Sequence, residues 1–147
     1  MARRFFAAGC WVLVSCGLVH LLGHYALVTS TGDTDTERQM LELMRTYRRD
    51  MGLGFVRSTF DLLTGFSLAF SIQCLGFGGL GLGLMRAERG FPRVLRTAAG
   101  VYAVAFGAMT AMGFVYWFPA PLSFLVVAFV CFAVARSAAS RESPAPR

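Results

Sequence analysis

The sequence predicts an all-α polytopic membrane protein: a bundle of four transmembrane helices with an amphipathic helix between the first and second spans. Three observations carry this. Apolar residues make up 56% of the 147-residue chain and charged residues only 15%, with a mean hydropathy of +0.58, a balance unusual for a soluble domain of this length. The apolar residues gather into four runs, each at or near the roughly 20 residues that cross a hydrocarbon core. All 14 basic residues are arginines, and they fall between the apolar runs rather than forming the basic and aromatic stripe that would follow a phosphate backbone, so nucleic acid is excluded as a partner.

The first span is expected from about residue 5 to 28. Within it "LVSC", residues 13 to 16, has the look of a lipobox that would make Cys16 a processed N-terminus, and "RRFF" faintly echoes a twin-arginine signal. The apolar run continues far beyond the roughly 7 to 15 residues of a signal core, so a span is the better reading. Then comes "STGDTDTERQMLELMRTYRRDMG", with turn and capping residues followed by Met40, Leu43, Met44 and Tyr47 at helical spacing. This predicts a surface helix over about residues 36 to 50, lying on the membrane, with Asp33, Asp35 and Glu37 at its positive end and Arg45, Arg48 and Arg49 at its negative end.

The second span is expected over about residues 55 to 85. Its "GFGGLGLG" stretch, residues 76 to 83, lacks the lysine and serine of a phosphate loop; Gly79 and Gly83 instead suggest a small-residue ridge for close helix packing, with Gly100, Gly107 and Gly113 of the third span as surfaces to meet. Spans three and four are expected over about 97 to 118 and 119 to 138, separated by the tight "YWFPAP" turn, with Tyr116 and Trp117 as interfacial anchors. Residues 1 to 136 thus form the membrane domain, and 137 to 147, rich in Ser, Ala and Pro, are expected to be a disordered tail. The four cysteines lie in apolar runs without metal or redox spacing and read as small filler.

Arginines near the chain start, between spans two and three (Arg86, Arg89, Arg93, Arg96) and after span four share one side, which by the positive-inside rule places both termini in the cytoplasm of a cell with an inner membrane. The opposite side receives the mixed-charge surface helix. Near that side lie the ionisable residues of the spans. "HLLGHY" puts His20 and His24 on one helix face, roughly two turns and one turn below the outer surface, and Asp61 enters span two at similar depth. Gly23 between the histidines would let a neighbouring helix come close. Ser58 lies one turn before Asp61 and Gly65 one turn after it, Ser67 and Ser71 continue as a four-residue series farther along the span, and Tyr25, Thr110, Tyr116 and Trp117 are placed to reach the same layer.

An intramembrane ionisable group is by default a functional hypothesis, yet each has a plainer reading. The histidines can simply hydrogen-bond across helices or reach headgroups and water, and Asp61 can pair with Arg57 one turn earlier. Metal or haem ligation by His20 and His24 needs further ligands, while acid–base chemistry by a His–Asp pair needs a substrate; proton or small-solute movement is a third possibility.

The order H-x-x-G-H, a polar helical linker, Met51-Gly52, and S-x-x-D-x-x-x-G-x-S from Ser58 to Ser67 resembles a family of small uncharacterised bacterial membrane proteins with four predicted spans. The likeness covers roughly the first half of the chain. It implies no activity; it implies that His20, Gly23, His24, Gly52, Ser58, Asp61, Gly65 and Ser67 share one site or packing core.

The functional expectation is an integral inner-membrane protein whose outer-leaflet polar cavity binds a small ligand or membrane partner through His20, His24, Ser58, Asp61 and Tyr116. The alternative is a membrane enzyme or redox protein using the His20, His24 and Asp61 layer for acid–base chemistry or for metal or haem binding. The lipid bilayer is the expected environment, with a homo-oligomer or a second membrane protein open as partner. No catalytic residue and no cofactor follow from the sequence.

Overall fold

The computed structural model describes residues 1–87 and 92–142. They form α1 (Ala2–Thr29), α2 (Asp35–Thr46), β1 (Arg48–Asp50), β2 (Val56–Ser58), α3 (Thr59–Ala87), α4 (Pro92–Tyr116) and α5 (Pro119–Glu142). The four long helices are each long and apolar enough to cross a membrane, which makes this a multi-pass membrane protein. Arg89 of the expected arginine-rich connection and residues 143–147 of the expected tail lie outside the described residues.

The helices are the only backbone form that satisfies its own hydrogen bonds in lipid, and the punctuation between them is local. Trp117 N–H bonds back to Gly113 as α4 ends, and Pro119 opens α5 where a missing N–H costs nothing. The fourth span runs beyond the expected boundary: α5 continues through Glu142, so 137–142 is helix rather than disordered tail. Ala138 and Ala139 favour helix, Ala139 is buried, and Glu142 accepts hydrogen bonds from the Met1 amine and the Ala2 N–H at 3.1 and 3.4 Å.

The segment after α1 departs more from expectation. Thr34 and Glu37 form a reciprocal capping box that starts α2, but the helix stops at Thr46 instead of reaching residue 50. The next residues form an antiparallel hairpin in the register Arg48 to Ser58, Arg49 to Arg57, Asp50 to Val56. The turn explains the stop. Gly52 and Gly54 take φ of 99° and 79°, which glycine adopts without a Cβ penalty, and the Asp50 carboxylate accepts the Gly52 N–H at 2.8 Å. Of the residues in α2, Leu41 is the one buried, while Met40 and Leu43 on the expected membrane face are exposed.

In the bundle α1 packs along both α3 and α5, and α4 packs along α5. Phe6, Tyr102, Phe106 and Phe132 meet in tilted, edge-on and stacked pairs 4.9 to 6.0 Å apart at the centre of the core. The buried Tyr102 hydroxyl is satisfied by donating to the Phe77 carbonyl at 2.8 Å, tying α4 to α3. At the arginine-rich end, Arg3 donates to the Met85 carbonyl at 2.8 Å.

Close helix approach depends on glycines other than the expected pair. A Cβ on Gly78 would lie 2.8 Å from the Cys10 carbonyl oxygen, one on Gly17 3.0 Å from the Ser71 carbonyl, and one on Gly81 would collide with the Cys10 sulfur. Gly76, Gly79 and Gly83 have nothing within 4 Å. At about 100° per residue Gly79 and Gly83 point well away from the line of Cys74, Gly78 and Gly81, so the ridge read from the sequence faces outward.

Two outcomes test these assignments. Gly78→Leu is expected to cost at least about 1–3 kcal/mol of stability in detergent, and Gly79→Leu less than about 0.5 kcal/mol, read from thermal midpoints. For α2, the N–H groups of Asp33 and Thr34 bonded to Glu37 hold its carboxyl below the usual glutamate range. A depressed folded pKa means the cap contributes in full well above the usual value of 4.5 and is lost as pH falls through the lower folded value. The protection factors of the α2 amides, taken against the intrinsic exchange rate at each pH, should therefore fall on acidification, and Glu37→Gln should remove that dependence.

Candidate functional site

His20 and His24 lie one turn apart on α1, and antiparallel α3 runs beside them. Both imidazoles reach the same atom: Ser67 Oγ is 3.2 Å from His20 Nε2 and 3.2 Å from His24 Nδ1. A hydroxyl has a single proton, so Ser67 donates to one neutral imidazole and accepts the ring N–H of the other. Both rings are therefore in the same tautomer, Nδ1–H when Ser67 donates to His20 and Nε2–H when it donates to His24. One turn deeper, Ser71 Oγ donates to the Ser67 carbonyl at 3.3 Å, and the buried thiols of Cys16 and Cys74 neighbour each other across the same helix pair.

Aromatic rings connect this cluster to the far hairpin of the bundle. The His20 ring meets Phe70 edge-on at 4.7 Å, and Phe70 meets Trp117 at 5.2 Å. Between them opens a cavity of about 430 Å³, lined by His20, Gly23, His24, Leu27, Leu63, Phe66, Ser67, Phe70, Trp117, Phe118 and Pro121. Its walls are apolar except for the two imidazoles and the serine, the usual character of a small-molecule site. Gly23 does not mediate close helix packing as expected. A Cβ there would meet nothing within 4 Å, so its lack of a side chain leaves room in the cavity.

Of the residues expected in one layer, the structure gathers only part. Asp61 stands apart from the histidines: its carboxylate accepts the Ser58 N–H at 3.0 Å while Ser58 Oγ accepts the Asp61 N–H at 3.0 Å. This reciprocal cap satisfies two of the orphan donors at the start of α3, a stronger local demand than a distant imidazole. It also replaces the expected pair with Arg57, whose guanidinium donates to the Val56 carbonyl. Ser58, only 2% exposed, is consumed by the same cap. Ser67 is six residues on, about 9 Å along the helix. Tyr116 is 76% exposed and leaves the cavity to its neighbours Trp117 and Phe118, while Thr110 bonds to the Phe106 carbonyl.

Ser67 is the residue of the candidate site that sequence reasoning undervalued. Its signal lies in helical arithmetic: a hydroxyl on the adjoining antiparallel helix is placed to bridge two histidines at i and i+4. Among the described residues, no third His, Cys, Asp or Glu joins the pair in a group able to hold a metal ion. No protein-family model, no curated protein and no solved structure matches the chain.

Ser67→Ala removes the shared partner of both rings. It should cost about 1–3 kcal/mol in thermal unfolding, and a His20→Ala, Ser67→Ala double-mutant cycle should show clear non-additivity. Tyr116→Phe should leave the midpoint unchanged.

Proposed function

We propose that this chain is an integral protein of a bacterial inner membrane, with both termini cytoplasmic, whose cavity binds a small apolar ligand or a segment of a membrane partner. The observation that carries the reading is the convergence of His20 and His24 on Ser67 in the wall of an otherwise apolar cavity. With one ring nitrogen of each histidine engaged by Ser67, the neutral pair retains one donor and one acceptor, on His20 Nδ1 and His24 Nε2. A ligand with a compact polar group and an apolar body matches that combination. The aromatic walls supply the contact area. Arginine placement supports the orientation, since Arg3, Arg86, Arg96, Arg136 and Arg141 belong to the helix ends opposite the hairpin.

A second reading draws on the same observation. A proton taken up at His24 Nε2 and one released from His20 Nδ1, with the His24 Nδ1 proton passing through Ser67 to His20 Nε2, would carry one proton across the pair and leave both rings neutral, so the site suits acid–base chemistry on a bound molecule or proton movement. Metal or haem ligation by His20 and His24 would require donors from the ligand or another chain.

Native mass spectrometry of detergent-purified protein separates these readings. Ligand binding predicts a co-purifying small molecule that is lost in Gly23→Leu, which fills the cavity without touching a helix contact, and reduced in His20→Ala. Absence of any such molecule from the parent protein, or equal retention by Gly23→Leu, counts against it. A Soret band or bound metal lost on histidine substitution would favour the cofactor form.

A further inference from the structure

The hairpin that leads into α3 holds an arrangement its own stability does not explain. Arg49 and Arg57 are directly paired across the two strands, so their side chains leave the same face about 5 Å apart at Cβ. Like charges at that position repel. Glu37 serves the α2 cap, Asp35 pairs with Arg38, Asp50 serves the turn, and Asp61, in the α3 cap, lies near enough to attract Arg57 without forming an ion pair with it. The Arg49 and Arg57 guanidinium groups therefore share one face without an ion pair to a carboxylate among the described residues.

The same face carries apolar side chains. Alternation along the strands puts Met51 and Phe55 beside Arg49 and Arg57, both more than half exposed, and Leu53 at the tip is 99% exposed. The opposite face carries Ser58, which is buried against the bundle. Arg57 lies over the Phe55 ring, 5.9 Å from its centroid, so cation and apolar surface are contiguous. The hairpin ends at Ser58, one residue before a helix that crosses the membrane, which sets it at the height of lipid headgroups. Paired arginines suit a phosphate, and three apolar side chains suit the acyl boundary below it.

We propose that this hairpin face is a binding site for an anionic phospholipid, with the headgroup phosphodiester bridging Arg49 and Arg57 and with Met51, Leu53 and Phe55 entering the acyl layer. It is independent of the histidine cavity. Charge complementarity selects the lipid: the repulsion between the two arginines becomes attraction to a shared anion.

An environment-sensitive fluorophore on Met51→Cys tests it, in nanodiscs of phosphatidylcholine with or without phosphatidylglycerol. Emission should shift to the blue only with phosphatidylglycerol, and the shift should shrink with added salt. Adding Arg49→Gln and Arg57→Gln should raise the half-saturating phosphatidylglycerol fraction roughly tenfold or abolish the shift. The thermal midpoint of that variant should equal or exceed the parent's, because a repulsion is gone. If it melts lower, Arg49→Gln alone carries the test, and an unaltered shift in it overturns the proposal. Equal emission in the two lipids overturns it as well. Inorganic phosphate reproducing the shift in phosphatidylcholine would assign the arginines to free phosphate and overturn the lipid assignment.

Discussion

Close backbone contact between α1 and α3 governs what every polar group in the bundle can reach. Gly17 against the Ser71 carbonyl and Gly78 against the Cys10 carbonyl set one antiparallel register along the pair. That register brings Ser67 level with the gap between His20 and His24 and brings Cys16 to Cys74. Lipid offers no hydrogen-bond partner, so groups within such a register must satisfy one another. A larger residue at either glycine would push the helices apart and leave both imidazoles without their hydroxyl.

The rest of the bundle supplies what that pair lacks. α5 fills the other side of α1 with the Phe132 ring seated over Gly9, and α4 adds Tyr102 and Phe106 to the same aromatic cluster. Packing is tightest toward the arginine-rich end. Toward the opposite end Gly23 leaves open space, and Trp117 and Phe118 at the α4 to α5 turn line the same cavity. A tight half and an open half in one bundle are what permit a cavity with fixed polar groups. The glycine-lined outer face of α3, including Gly79 and Gly83, plays no part in either.

The segment between α1 and α3 is an interfacial appendage with its own logic. Glu37 and Asp61 serve caps and Asp50 the turn, and the Ser58–Asp61 cap joins the hairpin to α3. Arg45 adds a link, donating to the Ser30 carbonyl and lying 4.6 Å from the Phe60 ring centroid. The hairpin face of Arg49, Met51, Phe55 and Arg57 is cationic and apolar, the composition suited to a boundary between headgroups and chains.

By itself the sequence determined the four spans, the capping box of α2 and the presence of two histidines on one helical face, because length, period and capping depend only on neighbours in the chain. The Ser58 to Asp61 cap has the spacing of a capping box, but Asp61 was read by depth as a site residue or as a partner of Arg57. The sequence could not decide which glycines meet a neighbouring helix. Gly78 and Gly79 are adjacent in the chain yet about 100° apart around the axis, and only packing selects one of them. Nor could it separate Ser67 from Ser58 and Ser71 as the partner of the imidazoles, since that depends on the sliding register of two antiparallel helices. Rotation and register are properties of contact between elements, so tertiary structure alone settled them.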